Sequence, residues 1–230
     1  MKKTAREVNM KHNVRLSRPI KNLLIIGDSY STYEGYIPEG YGPYYTKQGG
    51  TDLTSVEQTW WHRYVSENGV NLVRNDSWSG ATVCYTGRVS PEWGYNTSFV
   101  NRMHKMMDED FFNKENIDTV FIFGATNDSW LETTPKGEVI FEGWREEDLY
   151  STLPAIAYMI AKLKEAIPGG NIVFIINTEL EDCITKGVKE ASEHFGTSYI
   201  ELSDIDKSEG HPTVLGMMQI ADQIREAVKN

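Results

Sequence analysis

Three short, uninterrupted apolar runs dictate what this chain can fold into: Asn22-Leu-Leu-Ile-Ile-Gly27, Thr119-Val-Phe-Ile-Phe-Gly124 and Asn171-Ile-Val-Phe-Ile-Ile-Asn177. A half-exposed strand alternates apolar and polar residues. These runs have no polar side, the pattern of strands buried on both faces of a parallel sheet. Weaker runs at Val70 to Asn75 and Ser198 to Leu202 complete a predicted set of five strands. Helix-like stretches separate them: Val56 to Asn68, Ser98 to Met107, Glu146 to Ile167, Glu179 to Phe195 and Thr213 to Val228. Parallel strands need crossovers, which helices supply, so the alternation predicts an α/β domain with a mostly parallel sheet covered on both faces. Pro168-Gly169-Gly170 ends one helix and His211-Pro212 opens the last. Residues 1–20 are polar and aperiodic and read as a poorly ordered arm, leaving 21–230 as a single domain.

Composition narrows the partners. The chain has 230 residues, 40% hydrophobic and 24% charged, enough for one substantial core. A net charge of -10 argues against nucleic acid, whose recognition draws on clustered Lys and Arg, and against anionic lipid or polyanionic substrates. A neutral substrate fits best, unless a local basic patch overrides the average. Cys84 and Cys183 form no C-x-x-C pair and read as buried free thiols, and five scattered histidines include no H-E-x-x-H helix. Neither a metal nor another cofactor enters the expected chemistry. No run approaches the roughly 18 apolar residues of a membrane span. The basic start, MKKTAREVNMKHNVRLSRPIKN, lacks the apolar core of a secretory signal, which makes the cytoplasm the default compartment. Nothing in the sequence sets the oligomeric state.

The chemistry sits just after the strands. Gly27-Asp28-Ser29 ends the first run, placing a hydroxyl at the ligand-binding edge of the sheet, where a following helix would add positive dipole character. Alone, Gly-Asp-Ser is also a simple turn. His211 lies at a loop-to-helix junction from which an imidazole can reach over the strand ends and take the Ser29 proton. Asn127, in Gly124-Ala-Thr-Asn-Asp128, offers a side-chain amide at the same edge to a developing oxyanion, or else caps a turn. Gly80, in Asn75-Asp-Ser-Trp-Ser-Gly-Ala81, offers a backbone N–H that no Cβ shields.

In order and spacing, Gly27-Asp28-Ser29, Gly80, Gly124-x-x-Asn127-Asp128 and His211-Pro212 resemble the four blocks of the SGNH (GDSL-like) hydrolase superfamily, from about Asn22 to the C-terminus. The resemblance implies a three-layer α/β/α sandwich with a five-stranded parallel sheet of flavodoxin-like type. It further implies a serine hydrolase that cleaves esters with Ser29 as nucleophile and His211 as base. The implied oxyanion donors are the Ser29 and Gly80 N–H groups and the Asn127 side chain. The pattern departs at one position. The family usually has an aspartate three residues before the histidine, and here that residue is Ser208. The main-chain carbonyl near Ser208 or the Glu209 carboxylate is favoured as the imidazole's partner, Asp206 is a third choice, and an unassisted dyad is also open. Asp28 and Asp128 read as loop scaffolding.

Two long aromatic connections, Tyr30 to Ser55 and Ser129 to Arg145, read either as walls of a substrate cleft or as self-packed loops. Tyr30, Trp78 and Trp130 are the candidate substrate contacts, while Trp60 and Trp61 are assigned to the core. Stacking rings favour an acylated carbohydrate or another polar ester over a long acyl chain. Two other classes remain in view: a non-catalytic glycan- or ester-binding protein on the same fold, and a flavodoxin-like nucleotide binder. The second lacks any GxxxxGK[ST] or GxGxxG loop.

Overall fold

A computed structural model describes residues 12–229. The strands are β1 (His12–Asn13), β2 (Asn22–Gly27), β3 (Asn71–Ser77), β4 (Thr119–Gly124), β5 (Asn171–Ile176) and β6 (Ser198–Glu201), paired in the order β1-β6-β5-β4-β2-β3. The helices are α1 (Trp60–Asn68), α2 (Pro91–Thr97), α3 (Phe99–Asp108), α4 (Phe111–Lys114), α5 (Thr126–Trp130), α6 (Thr152–Ala166), α7 (Asp182–Phe195) and α8 (Val214–Lys229). All five expected strands are present and mutually parallel.

The sixth strand corrects the reading of residues 12–20 as unstructured. His12 and Asn13 pair antiparallel with Ile200 and Tyr199, closing the edge of β6 that would otherwise be left open. Behind them Val14, Leu16 and Ile20 pack on the core, and the Ser17 N–H donates to the Asn171 side chain at 2.8 Å. Two residues are too few for periodicity to register. Residues 1–11 of the expected arm lie outside the described residues.

Side chains of a strand alternate between faces. Leu23, Ile25, Phe121 and Phe123 therefore meet the residues of α1 and α8 on one side, and Leu24, Ile26, Val120 and Ile122 meet those of α3, α6 and α7 on the other. Trp60 and Trp61 are buried in the first of these layers, as their helical spacing predicted. Because both faces are apolar, alternation alone does not fix strand register: a one-residue slip exchanges one buried set for another. Polar pins at the strand ends do. At the amino end the Asp118 carboxylate accepts the Asn22 N–H at 2.8 Å, and Asn171 Nδ2 donates to Thr119 Oγ1 at 2.9 Å.

At the carboxyl end the pin is Arg102, fully buried on α3. Its guanidinium donates to the Gly27 carbonyl (3.0 Å) and the Thr97 carbonyl (2.8 Å), and pairs with the buried carboxylate of Asp76 at 2.5 Å. Arg74 meets the other Asp76 oxygen at 2.7 Å. Arg102 thus clamps the ends of β2 and β3 at the level where the chain turns into Asp28-Ser29. Removing one partner of a buried pair leaves the other charge undercompensated, at a cost on the order of 3 kcal/mol. Chemical denaturation is expected to show Arg102→Met losing about that much stability; a loss under about 1 kcal/mol would mean the clamp is not what holds these strand ends.

Candidate active site

The strand order reverses between β2 and β4, and the crevice outside their carboxyl ends is where open α/β sheets receive ligands. Ser29 leaves β2 there. No long helix follows it, contrary to the expectation of a helix dipole. Ser29–Ser31 make one tight 3-10 turn, closed by the Tyr30 N–H donating to Asp28 Oδ1 at 3.1 Å. Asp28 is the scaffold its position suggested. Fully buried, its carboxyl is pushed up to about 7, mainly by loss of hydration, with Asp128 adding repulsion.

His211 arrives on a two-stranded hairpin of β7 (Lys207–Ser208) and β8 (His211–Pro212). Its two-residue turn has positive φ at both positions, 51° at Glu209 and 79° at Gly210, as type I′ geometry requires. At Gly210 a side chain would also crowd Trp130, since a Cβ would lie 3.1 Å from its ring. Two tyrosines from the first long loop fasten the hairpin: Tyr30 donates its hydroxyl to the Gly210 carbonyl, and Tyr45 to the Pro212 carbonyl at 2.8 Å.

The outcome is a direct contact, His211 Nε2 to Ser29 Oγ at 3.0 Å. The other ring nitrogen, Nδ1, faces the main-chain oxygen of Glu209 at 3.4 Å. Of the partners left open by Ser208, a main-chain oxygen is the one in contact with the ring. The oxygen is a carbonyl, and it belongs to Glu209; neither the Ser208 carbonyl nor the Glu209 carboxylate bonds to the ring. The Asp206 carboxylate is committed elsewhere, accepting the hydroxyl of Thr213 just before α8, while the Asp206 carbonyl takes the Thr213 N–H. Tyr44 stacks on the imidazole at 3.6 Å and 8°, and Trp130 stands edge-on at 5.7 Å. Burial lowers the His211 pKa; the Glu209 carbonyl opposes the shift, and the cations Arg88 and Lys207 add to it. The ring is therefore neutral, and able to accept a proton, at ordinary pH.

The expected oxyanion donors are the N–H groups of Ser29 and Gly80 and the side chain of Asn127. Among the described residues, neither the Ser29 N–H nor the Gly80 N–H has a protein acceptor, and Gly80 holds φ at 83°. Asn127 sits on α5, entered through Ala125 at φ 69°. Its Nδ2 donates to the Ala81 carbonyl at 2.9 Å and its Oδ1 accepts from Arg88 Nη1 at 3.1 Å. A carbonyl only accepts and a guanidinium only donates, so the amide has one orientation, with the second Nδ2 hydrogen left over. Asp128 next to it takes the Val83 N–H at 2.8 Å, which fixes the loop carrying Gly80.

Sequence reasoning missed Arg88. A lone arginine in an irregular loop carries no pattern, and its placement depends on a backbone contact between Gly87 and Gly94 so close that a Cβ on Gly87 would lie 2.2 Å from the Gly94 Cα. Other expectations need correction. Tyr30 is fully buried beneath the hairpin and supports His211 instead of facing substrate. Trp78 is half-buried and stacked on Tyr41 at 4.2 Å, whereas Trp130 is 40% exposed at the rim. Of the two long loops, the first is largely self-packed, with Tyr33 and Tyr45 in the core and Tyr44 at the site. The second sends Phe141 onto His194 and Trp144 against Tyr158, while Trp130 at its start stands against His211. Cys84 is a buried thiol as expected, but Cys183 is exposed.

The family model of the GDSL-like lipase/acylhydrolases matches residues 21–228. Similar solved structures include a protein of Bacteroides ovatus ATCC 8483 provisionally assigned as a GDSL-like lipase, 40% identical, with a TM-score of 0.82 over 92% of this chain and 99% of that one. A protein of Bacteroides uniformis ATCC 8492 with the same provisional assignment is 39% identical, with a TM-score of 0.81 over 91% and 96%. At the level of fold alone, an acetyl xylan esterase from the rumen bacterium Butyrivibrio proteoclasticus aligns with a TM-score of 0.59 and 16% identity, over 93% of this chain and 64% of that one. A comparison with curated proteins finds no match.

The raised Asp28 pKa has a consequence for stability. The folded chain keeps a proton there that the unfolded chain releases near pH 3.8, so this contribution is fully present below that pH and lost as pH rises through about 7. Asp28→Asn keeps the acceptor for Tyr30. Denaturation at pH 4 and pH 8 is expected to show the variant gaining on the wild type as pH rises; a constant difference between the two would contradict the assignment.

Proposed function

Since the chain belongs to the GDSL-like lipase/acylhydrolase family, a family of ester hydrolases, we propose that it is a serine esterase working through an acyl-enzyme on Ser29, with an acylated carbohydrate as substrate. The observation that carries the reading is the 3.0 Å contact between His211 Nε2 and Ser29 Oγ. His211 takes the Ser29 proton as Oγ attacks the ester carbonyl, and the negative charge moves to the carbonyl oxygen. The N–H groups of Ser29 and Gly80 and the free Nδ2 hydrogen of Asn127 receive that charge. Collapse of the intermediate expels the alcohol, which takes its proton from His211. Water activated by the same imidazole then releases the acid.

Glu209 acts through its main chain. Its carbonyl accepts the Nδ1 proton, which leaves Nε2 as the basic nitrogen, but stabilises an imidazolium less than a carboxylate would. The preference for a carbohydrate ester rests on the rim, where Trp130 and Tyr44 present rings suited to a sugar face, and agrees with the acetyl xylan esterase among the similar folds.

Hydrolysis of p-nitrophenyl acetate, butyrate and octanoate tests the reading. Turnover is expected to favour acetate and to fall by at least about 10⁴-fold in Ser29→Ala and His211→Ala, and by roughly 10²- to 10³-fold in Asn127→Ala. Undiminished turnover in Ser29→Ala would overturn the mechanism, and no wild-type turnover on any ester would favour a binding protein on this fold. A separate expectation concerns Glu209→Gln, which keeps the carbonyl and removes the carboxylate. Its kcat/KM should fall less than about threefold, whereas a working carboxylate predicts a loss nearer the 10⁴-fold seen when a triad acid is neutralised.

A further inference from the structure

Arg88 stands out in an acidic chain, where Asp and Glu number 33 against 23 Lys and Arg. Its hydrogen-bond partner among the described residues is the Asn127 side chain, and no described carboxylate lies within ion-pair range of it. The other cation that acts on His211, Lys207, is already paired with Glu179 at 3.0 Å. Holding Asn127 occupies one of five guanidinium N–H groups. The aliphatic stem passes the oxyanion loop, with Arg88 Cδ 3.9 Å from where a Gly80 Cβ would be. Arg88 therefore brings an uncompensated positive charge to the edge of the oxyanion site.

On its outer side Arg88 lines a cavity of about 330 Å³ with Tyr85, Thr86, Pro91 and Tyr150. Tyr150 is 40% exposed and meets Tyr85 edge-on at 5.3 Å. That volume lies at the small end of ligand sites, roughly 300–1,000 Å³, enough for one ring and not for an oligosaccharide chain. Resting on the esterase reading above, we propose that this cavity is a subsite for the ring of a sugar acid, with the ring on Tyr150 and its carboxylate on Arg88. The guanidinium fork matches a carboxylate in two parallel hydrogen bonds. A single guanidinium suits one negative charge. A multiply charged sulfated or phosphorylated glycan would meet the net charge of -10, and among the described residues that line the cavity there is no second Lys or Arg to offset it. The enzyme thus selects acidic sugars by a short-range contact, which modifies the expectation of a neutral substrate drawn from the average charge.

The test compares a mono-O-acetyl methyl galacturonoside with its uncharged 6-methyl ester, in the wild type, Arg88→Met and Arg88→Lys, with p-nitrophenyl acetate as reference. Since Arg88 also holds Asn127, both sugars are expected to lose kcat in Arg88→Met; the ratio of their kcat/KM values isolates recognition of charge. The wild type should favour the free carboxylate at least about tenfold, the worth of a 1.4 kcal/mol contact. Arg88→Met should bring the ratio to one or below, and Arg88→Lys should keep part of it. A wild-type ratio near one, or a ratio unchanged in Arg88→Met, would overturn the subsite. If p-nitrophenyl acetate is still hydrolysed in a Ser29-dependent way, that failure leaves the esterase reading intact. Absence of that turnover would remove both.

Discussion

The parallel pairing of β2 with β4 places Gly27 opposite Phe123, so that two chain segments leave the sheet side by side at the same edge. Ser29 comes two residues after one strand end and Asn127 three residues after the other. Neither has to reach far. Ser29 and Asn127 are thereby held by sheet register, and both faces of that sheet are apolar, so register itself depends on the polar pins at the strand ends. Arg102 is the pin nearest the chemistry, joining the carbonyl of Gly27 to the buried carboxylate of Asp76. The geometry of the turn that presents Ser29 is in this sense set from below, by a residue that touches no substrate.

His211 is held differently. It lies on a six-residue hairpin near the end of the chain, and its position depends on tyrosines contributed from the opposite end of the sequence. Tyr30 and Tyr45 bond the hairpin backbone, and Tyr44 stacks on the imidazole itself. The turn that aims the ring also supplies its partner, since the same Glu209-Gly210 geometry turns the Glu209 carbonyl toward Nδ1. In the proposed mechanism a single hairpin thus does what an aspartate and a loop do in the usual pattern of the superfamily. The lowered pKa of His211 follows from this burial and from the two cations nearby, and it keeps the ring in its basic form.

Much of this was legible in the sequence because it lies in local pattern. Apolar runs identified the parallel strands, and the order of Gly27-Asp28-Ser29, Gly80, Asn127 and His211 along them carried the family resemblance on which the proposed site rests. The features that were missed depend on contacts between distant segments. Two residues of β1 form a strand only because β6 offers an edge. Tyr30 has the composition of a cleft wall, yet its hydroxyl finds an acceptor in Gly210, 180 residues away, and this buries it. Arg88 carries no motif at all; its contact is with an amide oxygen on α5. The partner of His211 had been placed among three groups of the right chemistry, and only the backbone turn selects a main-chain oxygen.

The central claim is that Ser29 is a nucleophile activated by His211. Intact-protein and peptide mass spectrometry after reaction with a fluorophosphonate measures this most directly, because the reagent traps an activated serine whatever the natural ester. One phosphonyl adduct on the peptide containing Ser29, formed at a rate that falls sharply in His211→Ala, is the expected result. No adduct, or an adduct on another serine with Ser29 unmodified, would contradict the account.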